Sequence, residues 1–522
     1  MPKFSIVTPV YNPPLWALEC CIDSVLEQTC EDWEWVLVND ASTDVSVIER
    51  LDRLAACDSR IRVFHRSANG GIVKASNDSL AYCTGEYVAL LDHDDSLTVD
   101  ALSTVRSLIS LCPDADYIYS DEDKIAKDGT LFDLFSKPDW APDRLLGQNY
   151  CCHLSVIRRA LVEEVGGFRE GFEGSQDYDL VLRVTEKATG IYHIPKVLYH
   201  WRVVEGSTAG SLEAKPYAVE AARKAVSEHL ARRGIDAEVR TTSSGYQQVV
   251  RKLTRRPLVS IIIPSGAFSK TVRGTDTLLV GLAIQSIVEK STYDNYEVVL
   301  VLDVNENRKD PRLAPILGHP KVKTVDFTGE FDFSAKCNLG AVRSSGEVLL
   351  FLNDDTEVIS RDWLETLLGH LEDPGVGIVG ARLLFENGTI QSAGHTNDPS
   401  PHSYGLKAAA DSPGEFGNLA IAQERSGVTG ACLAIPKALY FEVGGMSEDY
   451  PHCFNDVDLC FKVLEQKRRI IWTPFADLYH FESLSRDPTP RDEEIEAIYQ
   501  RWGRLFGQDR YLPQPTKFDW RD

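Results

Sequence analysis

Several features that would assign a chain to a large class are missing from this one. No apolar run approaches the roughly 18 to 20 residues that cross a membrane, and the first residues, MPKFSIVTPVYN, enter strand-like sequence with no signal peptide ahead of them. The expectation is a soluble, cytoplasmic protein, with any contact at the inner face of the cell membrane peripheral and made through an acceptor or partner. The 12 cysteines include no C-x-x-C pair, and neither Cys20-Cys21 nor Cys151-Cys152 has metal-site spacing. Reduced, mostly buried thiols are expected. Positive charge is in deficit: 55 Lys and Arg against 78 Asp and Glu give a net charge of -23, which argues against binding of nucleic acid or an anionic membrane by the molecule as a whole. No G-x-G-x-x-G follows the first strand and there is no Walker P-loop, so no glycine cradle is available to a pyrophosphate.

What is present is a globular composition, 43% apolar and 25% charged over 522 residues. That length is too great for one core and suggests two domains. The chain also repeats itself. FSIVTPVYN (Phe4 to Asn12) has a counterpart in LVSIIIPSG (Leu258 to Gly266), and WEWVLVNDAS in YEVVLVLDVN, each of the latter two strands ending on an aspartate, Asp40 or Asp303. GEYVALLD, from Gly85, matches GEVLLFLN, from Gly346, at an offset of 261. Val165-Gly166-Gly167 precedes Gln176-Asp177-Tyr178-Asp179 as Val443-Gly444-Gly445 precedes Asn455-Asp456-Val457-Asp458, and Tyr199-His200 and Tyr479-His480 follow Asp177 and Asp456 by 23 and 24 residues. A turn or a core histidine explains any one of these; five in the same order indicate a tandem duplication of one α/β domain.

Boundaries at 1–213 and 257–490 are expected for the two copies, with a tail over 491–522. Between the copies, 214–256 reads as a helix ending at Gly234 and then a hairpin around Ser243-Ser244-Gly245. This linker carries ten Lys or Arg against four Asp or Glu, which suits either a solvated face or contact with a phosphate-bearing acceptor lipid or a partner.

Strands separated by helical stretches predict a mostly parallel sheet covered by helices, with ligands beyond the carboxyl ends of the strands. Thr8, Pro9, Tyr11, Asp40, Asp92 and Asp94 collect there. In LLDHDDSL, three carboxylates stand within four positions, so the stretch is either a solvated turn or a place where a cation offsets repulsion. Its twin LNDDTEV sets Asp355 opposite Asp94. With water and two phosphate oxygens, Asp94 would suit Mg2+ or Mn2+, which prefer hard oxygen ligands. Of the three carboxylates Asp95, set opposite Thr356, reads as the most dispensable.

The order TPVYN, VNDAS, NGGIVKASN, LLDHDD, GSQDYDL, YHWR resembles the family 2 glycosyltransferases of the GT-A fold. The second copy resembles them through VSIIIP, FDFSAKCNLGA, FLNDDTEV, GTIQSAGH, VTGACLAI, FNDVDL and YHFESLSR. The resemblance implies two nucleotide-diphospho-sugar transferase (Rossmann-like) domains and inverting, metal-dependent transfer from nucleotide-diphosphate sugars (UDP- or dTDP-sugars). It further implies an oligosaccharide or lipid-linked glycan acceptor, as in bacterial O-antigen or capsule synthesis. Residue by residue, it implies that Thr8, Pro9 and Tyr11 border the nucleotide and that Asp40 accepts from the base. Lys74 and Asn77 would lie near sugar and diphosphate, Asp92 near the ribose or donor sugar, and Asp94 and His200 on the metal. Arg202 and Ser207 would meet the diphosphate, and Asp177 would be the general base. The second set is Pro264, Asp303, Lys336, Asn338, Asn353, Asp355, Asp456 and His480, backed by Glu482, Ser485 and Arg486, with Asp355 and His480 as metal ligands and Asp456 as base. Asp177 and Asp456 are preferred over Asp179 and Asp458 because residues two apart on a helix do not share a face.

The second copy departs from the family pattern at Gly266-Ala267-Phe268, at Asp303-Val304-Asn305 and at Asn353. Two active sites are expected; a second domain that only binds donor or glycan is the alternative. A nucleotidyltransferase and a non-catalytic sugar-nucleotide scaffold are the rivals. The first lacks its glycine-rich loop, and the second leaves the repeated base and histidine unexplained.

Overall fold

The computed structural model describes residues 2–204, 216–482 and 490–512. They form two compact units: 2–140 with 148–247, and 141–147 with 248–512. In the first unit, the buried strand Phe4–Val10 pairs in parallel with Trp33–Asn39 on one side and Tyr87–Leu90 on the other. Nearly continuous β-branched and aromatic residues fit a strand covered on both faces. From edge to edge the sheet runs Ile61–His65, Trp33–Asn39, Phe4–Val10, Tyr87–Leu90, Ser155–Arg158, Ala115–Ile125, Gly190–Arg202 and Ser96–Leu97. The second unit repeats this order with Val322–Phe327, Tyr296–Asp303, Val259–Ser265, Val348–Leu352, Cys432–Pro436, Val376–Leu384, Arg469–His480 and Thr356–Val358.

The sheets are mixed rather than mostly parallel. Ser155–Arg158 runs antiparallel to both of its neighbours, and Cys432–Pro436 does the same in the second unit. Strands of four and five residues are too short to show a pattern from which their direction could be read.

A polar latch recurs under both sheets. Ser5 donates to Glu34 at 2.6 Å and Ser260 to Glu297 at 2.6 Å, while the amides of Gly85 and Gly346 donate to the two serine hydroxyls at 2.9 and 2.8 Å. A Cβ at either glycine would lie 2.7 Å from the amide nitrogen of its serine, so the glycines that open the repeated GEY and GEV stretches are required by close approach.

The helix Pro216–Arg232 packs in the first unit against the helix Gln176–Thr185, where Ser175 donates to the Ala218 carbonyl at 2.8 Å. Asp492–Trp502 covers the equivalent helix Asn455–Glu465 through Trp502, Ile498, Phe461 and Val457. The linker helix is thus the first unit's counterpart of the C-terminal helix. In this linker Arg223 pairs with Glu220, Arg232 with Glu186 and Arg240 with Glu238, while Arg251 pairs with Asp143 and Arg255 with Glu347. Among the described residues no helix is long and apolar enough to cross a membrane.

Candidate active site

At the carboxyl end of Phe4–Val10, Asn12 takes a positive φ of 45° and its side-chain oxygen accepts from the amides of Thr43 and Asp44 at 2.8 and 3.2 Å. This stitches the first two strand-end loops together and leaves Tyr11 half exposed beside them. Asp40 is buried, and its two oxygens accept from the amides of Gly70 and Gly71 at 2.9 and 2.8 Å. In the second unit the corresponding Asp303 is held instead by the buried Lys336 at 2.5 Å, so that lysine is committed to the aspartate at the strand end. Lys74 is exposed and stands 3.7 Å from Glu170. Pro9 meets His93 through its carbonyl, 3.0 Å from Nδ1, and Pro264 lies in the strand Val259–Ser265.

Several expected donor contacts face elsewhere. Thr8 is fully buried and accepts from the Trp35 indole at 2.9 Å, so its hydroxyl belongs to the core. Asn77 clamps the backbone of Phe168, donating to its carbonyl and accepting from its amide, both at 2.9 Å. Asn338 does the same to Met446, at 2.9 and 3.1 Å. Both asparagines therefore hold the Val-Gly-Gly turns, where a Cβ on Gly167 or Gly445, each at positive φ, would meet the amide oxygen at 2.6 or 2.8 Å. Arg202 is buried beneath the acidic turn, donating to the Asp94 carbonyl at 2.9 Å and to Ser96 Oγ at 2.8 Å. It braces the loop rather than facing a diphosphate. Ser207, Ser485 and Arg486 lie outside the described residues. The Glu482 carbonyl accepts from Lys270.

The acidic turn closes the strand Tyr87–Leu90. Asp95 is buried, accepts from the Arg202 amide at 2.7 Å and from the Tyr199 hydroxyl at 2.5 Å, and is pushed well up by burial and by Asp92 and Asp94. Strand register corrects its alignment. Ser96 lies opposite His200, and Thr356 opposite His480, so Thr356 is the counterpart of Ser96. The first turn is therefore one residue longer than the second, and Asp95, bonded to Arg202 and Tyr199, is a structural residue rather than the most dispensable. Asp92 is raised by burial and by Asp94, strain that a cation would relieve.

His200 donates from Nδ1 to Asp123, which turns Nε2 away as a potential ligand. His480 donates from Nδ1 to Gln391 Oε1 at 2.6 Å, leaving Nε2 3.1 Å from Asp355 Oδ1. A carboxylate oxygen this close to the ring nitrogen is offset either by a proton on Nε2 or by a cation held between the two. Asn353 Nδ2 lies 3.1 Å from the same Nε2, and its own Oδ1 is buried with no hydrogen-bond partner among the described residues. Asp355, His480 and Asn353 thus fit a divalent ion, each histidine being oriented by a polar side chain behind it. Elsewhere, Glu122, Cys152 and His153 offer atoms within 4.8 Å of one another, but Lys137 Nζ already lies 3.0 Å from Glu122.

Asp177 and Asp456 begin buried helices whose N-terminal amides favour an anion. Their neighbours two positions on are spent: Asp179 is wholly buried against Arg169 and Arg183, and Asp458 against Lys462, Arg501 and Trp502. Asn149 donates to Asp177 Oδ2 at 3.0 Å, and the Gly430 amide to Asp456 Oδ2 at 2.8 Å. Burial raises Asp177, against the charge of His153 and the Asn149 hydrogen bond. His153 is itself raised to about 9, its hydrogen bond and ion pair with Glu122 outweighing burial. Asn149, His153 and Asp123 were not singled out by the sequence. Asp123 left a signal in the acidic run YSDEDKI; the other two left none.

The family model for glycosyl transferase family 2 matches residues 5–166 and 279–440. Asp177, His200, Asp456 and His480 lie beyond both spans. The chain is 41% identical over 520 residues to protein y4gI of Sinorhizobium fredii, covering 96% of this chain and 56% of the relative. It is 35% identical over 526 residues to the O-antigen biosynthesis protein RfbC of Myxococcus xanthus, covering 99% and 40%. The chain therefore spans about half the length of these relatives. The crystal structure of Staphylococcus aureus TarS residues 1–349 with UDP-GlcNAc aligns with a TM-score of 0.36 at 21% identity, over 44% of this chain and 66% of that one. With two matched regions and one α/β topology built twice, the chain belongs to glycosyl transferase family 2, as two GT-A domains in tandem.

Proposed function

We propose that the chain is a bifunctional inverting glycosyltransferase that adds sugars from nucleotide-diphosphate donors to a growing bacterial surface glycan, one linkage at each unit. The observation that carries this reading is the recurrence, at the carboxyl end of each sheet, of an acidic turn, a histidine with an oriented ring and, at a helix start, one carboxylate with no ion pair among the described residues. In the first unit Asp94 and His200 would hold Mg2+ or Mn2+, with Asp92 beside them; in the second, Asp355 and His480 with Asn353. When bound, the ion would act as a Lewis acid toward the leaving diphosphate. Tyr11, Asp40 and Asp303 would border the nucleotide. The acceptor oxygen attacks the anomeric carbon as the bond to the nucleoside diphosphate breaks, and its proton passes to Asp177 or Asp456. A carboxylate so placed contributes about 10²- to 10⁴-fold. No nucleophilic side chain is required by a single displacement.

The test is transfer by the full chain from a panel of UDP- and dTDP-sugars to a lipid-linked or synthetic acceptor, with product linkages analysed. Asp177→Asn is expected to abolish one linkage and Asp456→Asn the other, with donor binding retained. A substitution that leaves both linkages forming at the normal rate removes that base assignment. Loss of both linkages with Asp177→Asn and of neither with Asp456→Asn makes the second unit a binding domain.

A further inference from the structure

The second unit carries an element that the first lacks. The first unit passes from Val10 to the helix Leu15–Leu26 through Tyr11, Asn12, Pro13 and Pro14. At the same point the second unit folds Ser269–Val272 onto Thr275–Leu278 as an antiparallel hairpin before its helix Leu279–Lys290. This insertion is the physical origin of the Gly266-Ala267-Phe268 departure from the family pattern.

Both cations of the hairpin act on the strand end that carries His480. Lys270 Nζ donates to the carbonyls of Phe481 and Glu482 at 2.5 and 2.6 Å. The Arg273 guanidinium lies 4.9 Å from the ring centroid of Tyr479 and 5.5 Å from that of Phe481, and pairs with Glu357 at 2.7 Å. Glu357 is the register partner of Tyr479. Val272 and Phe481 share one small buried cluster. Residues on both sides of His480 are therefore gripped by the hairpin. In the first unit the equivalent strand end is fixed from inside, by Asp95 on the Arg202 amide and the Tyr199 hydroxyl. The second turn is one residue shorter, and Glu482 stands where Arg202 would be.

We propose that the hairpin Ser269–Leu278, through Lys270 and Arg273, is a positioning clamp that sets His480 against Asp355, doing for the second site what Asp95 and Arg202 do for the first. The inference rests on the reading of Asp355 and His480 as cation ligands. It also gives the two sites separately adjustable ion affinities.

The experiment measures Mn2+ binding to the full chain by electron paramagnetic resonance of the free ion. An Asp94→Ala background silences the first site, and an Asp355→Ala background silences the second. Lys270→Met with Arg273→Ala is expected to weaken binding in the Asp94→Ala background by about tenfold or more, the usual effect of removing an outer partner of a ligand. No change is expected in the Asp355→Ala background. Lys270→Arg, which keeps a cation, is expected to stay within about twofold. Unchanged binding by the double variant overturns the clamp alone. Equal weakening in both backgrounds, or equal weakening by Lys270→Arg with a lowered melting temperature, assigns the hairpin a merely structural role and overturns it too. If the Asp94→Ala parent binds no Mn2+, the cation reading of the second site fails and the clamp fails with it.

Discussion

At the scale of single residues, recurrence in the two halves marks what both domains need, and it does not separate chemistry from scaffolding. Asp177 and Asp456 recur, and among the described residues each is held by hydrogen bonds and by no ion pair. Asn77 and Asn338 recur just as faithfully, yet both are spent on a backbone clamp. The acids, histidines and glycines were legible because the chain states them twice; which way each side chain points was not, because that depends on partners far away in sequence. Asp177 is the residue whose environment makes a measurable claim. Burial disfavours its charged form and raises it above the ordinary aspartate range, and a base must be ionised to take a proton. As pH falls through that raised value, the first linkage should be lost, so the acid limb of kcat/KM in an Asp456→Asn background should lie above the aspartate norm of about 4. Asn149→Ala removes a hydrogen bond that favours the ionised form, and should move the limb higher still. A limb at about 4, or one insensitive to Asn149, would mean that another group limits the rate.

At the scale of elements, strands and helices were largely readable from apolar runs and capping residues, whereas strand direction, the hairpin after Ser265 and the one-residue difference between the acidic turns were not. Each of these is decided by pairing with distant chain: Thr356 is known to match Ser96 only because both lie opposite a histidine. The helix Asp492–Trp502 shows the same limit. Its sequence is amphipathic, but its role comes from what it covers. Trp502 packs on Phe461 and donates to Asp458 at 2.9 Å, while Glu494 accepts from the amides of His452 and Cys453 at 2.9 Å each, just ahead of Asp456. Trp502→Ala should cost about 3 to 5 kcal/mol in the second unit, read by denaturant unfolding. The second linkage should fall with it, while the first keeps its rate within about twofold. Equal loss of both linkages would show that the helix serves more than the base helix beneath it.

At the scale of the whole molecule, duplication predicts two self-contained copies, and the structure departs from that. Ala141–Gly147 comes from the first half of the chain but is built into the second unit. There Asp143 pairs with Arg251 at 2.9 Å and with Arg469, while Glu424 accepts from the amides of Asp143 and Arg144 at 3.0 and 3.2 Å. Burial pushes Asp143 up, but the two guanidiniums more than offset it and hold the carboxyl low. Burial and the Asp143 charge together push Glu424 up to about 7. His370 and Asp373 also join this network, and no local pattern in the sequence announces it. Breaking a buried charge cluster from one side costs about 3 to 5 kcal/mol, because the partners stay buried without their counter-ion. A fragment of residues 248–512, which contains every candidate residue of the second site, should therefore unfold at lower denaturant than the second unit of the intact chain. In the intact chain Asp143→Ala should reproduce much of that loss and leave the first linkage unchanged. If the fragment is as stable as the parent unit, Ala141–Gly147 is an accessory rather than part of the second core, and a boundary at 256 divides the chain without cost.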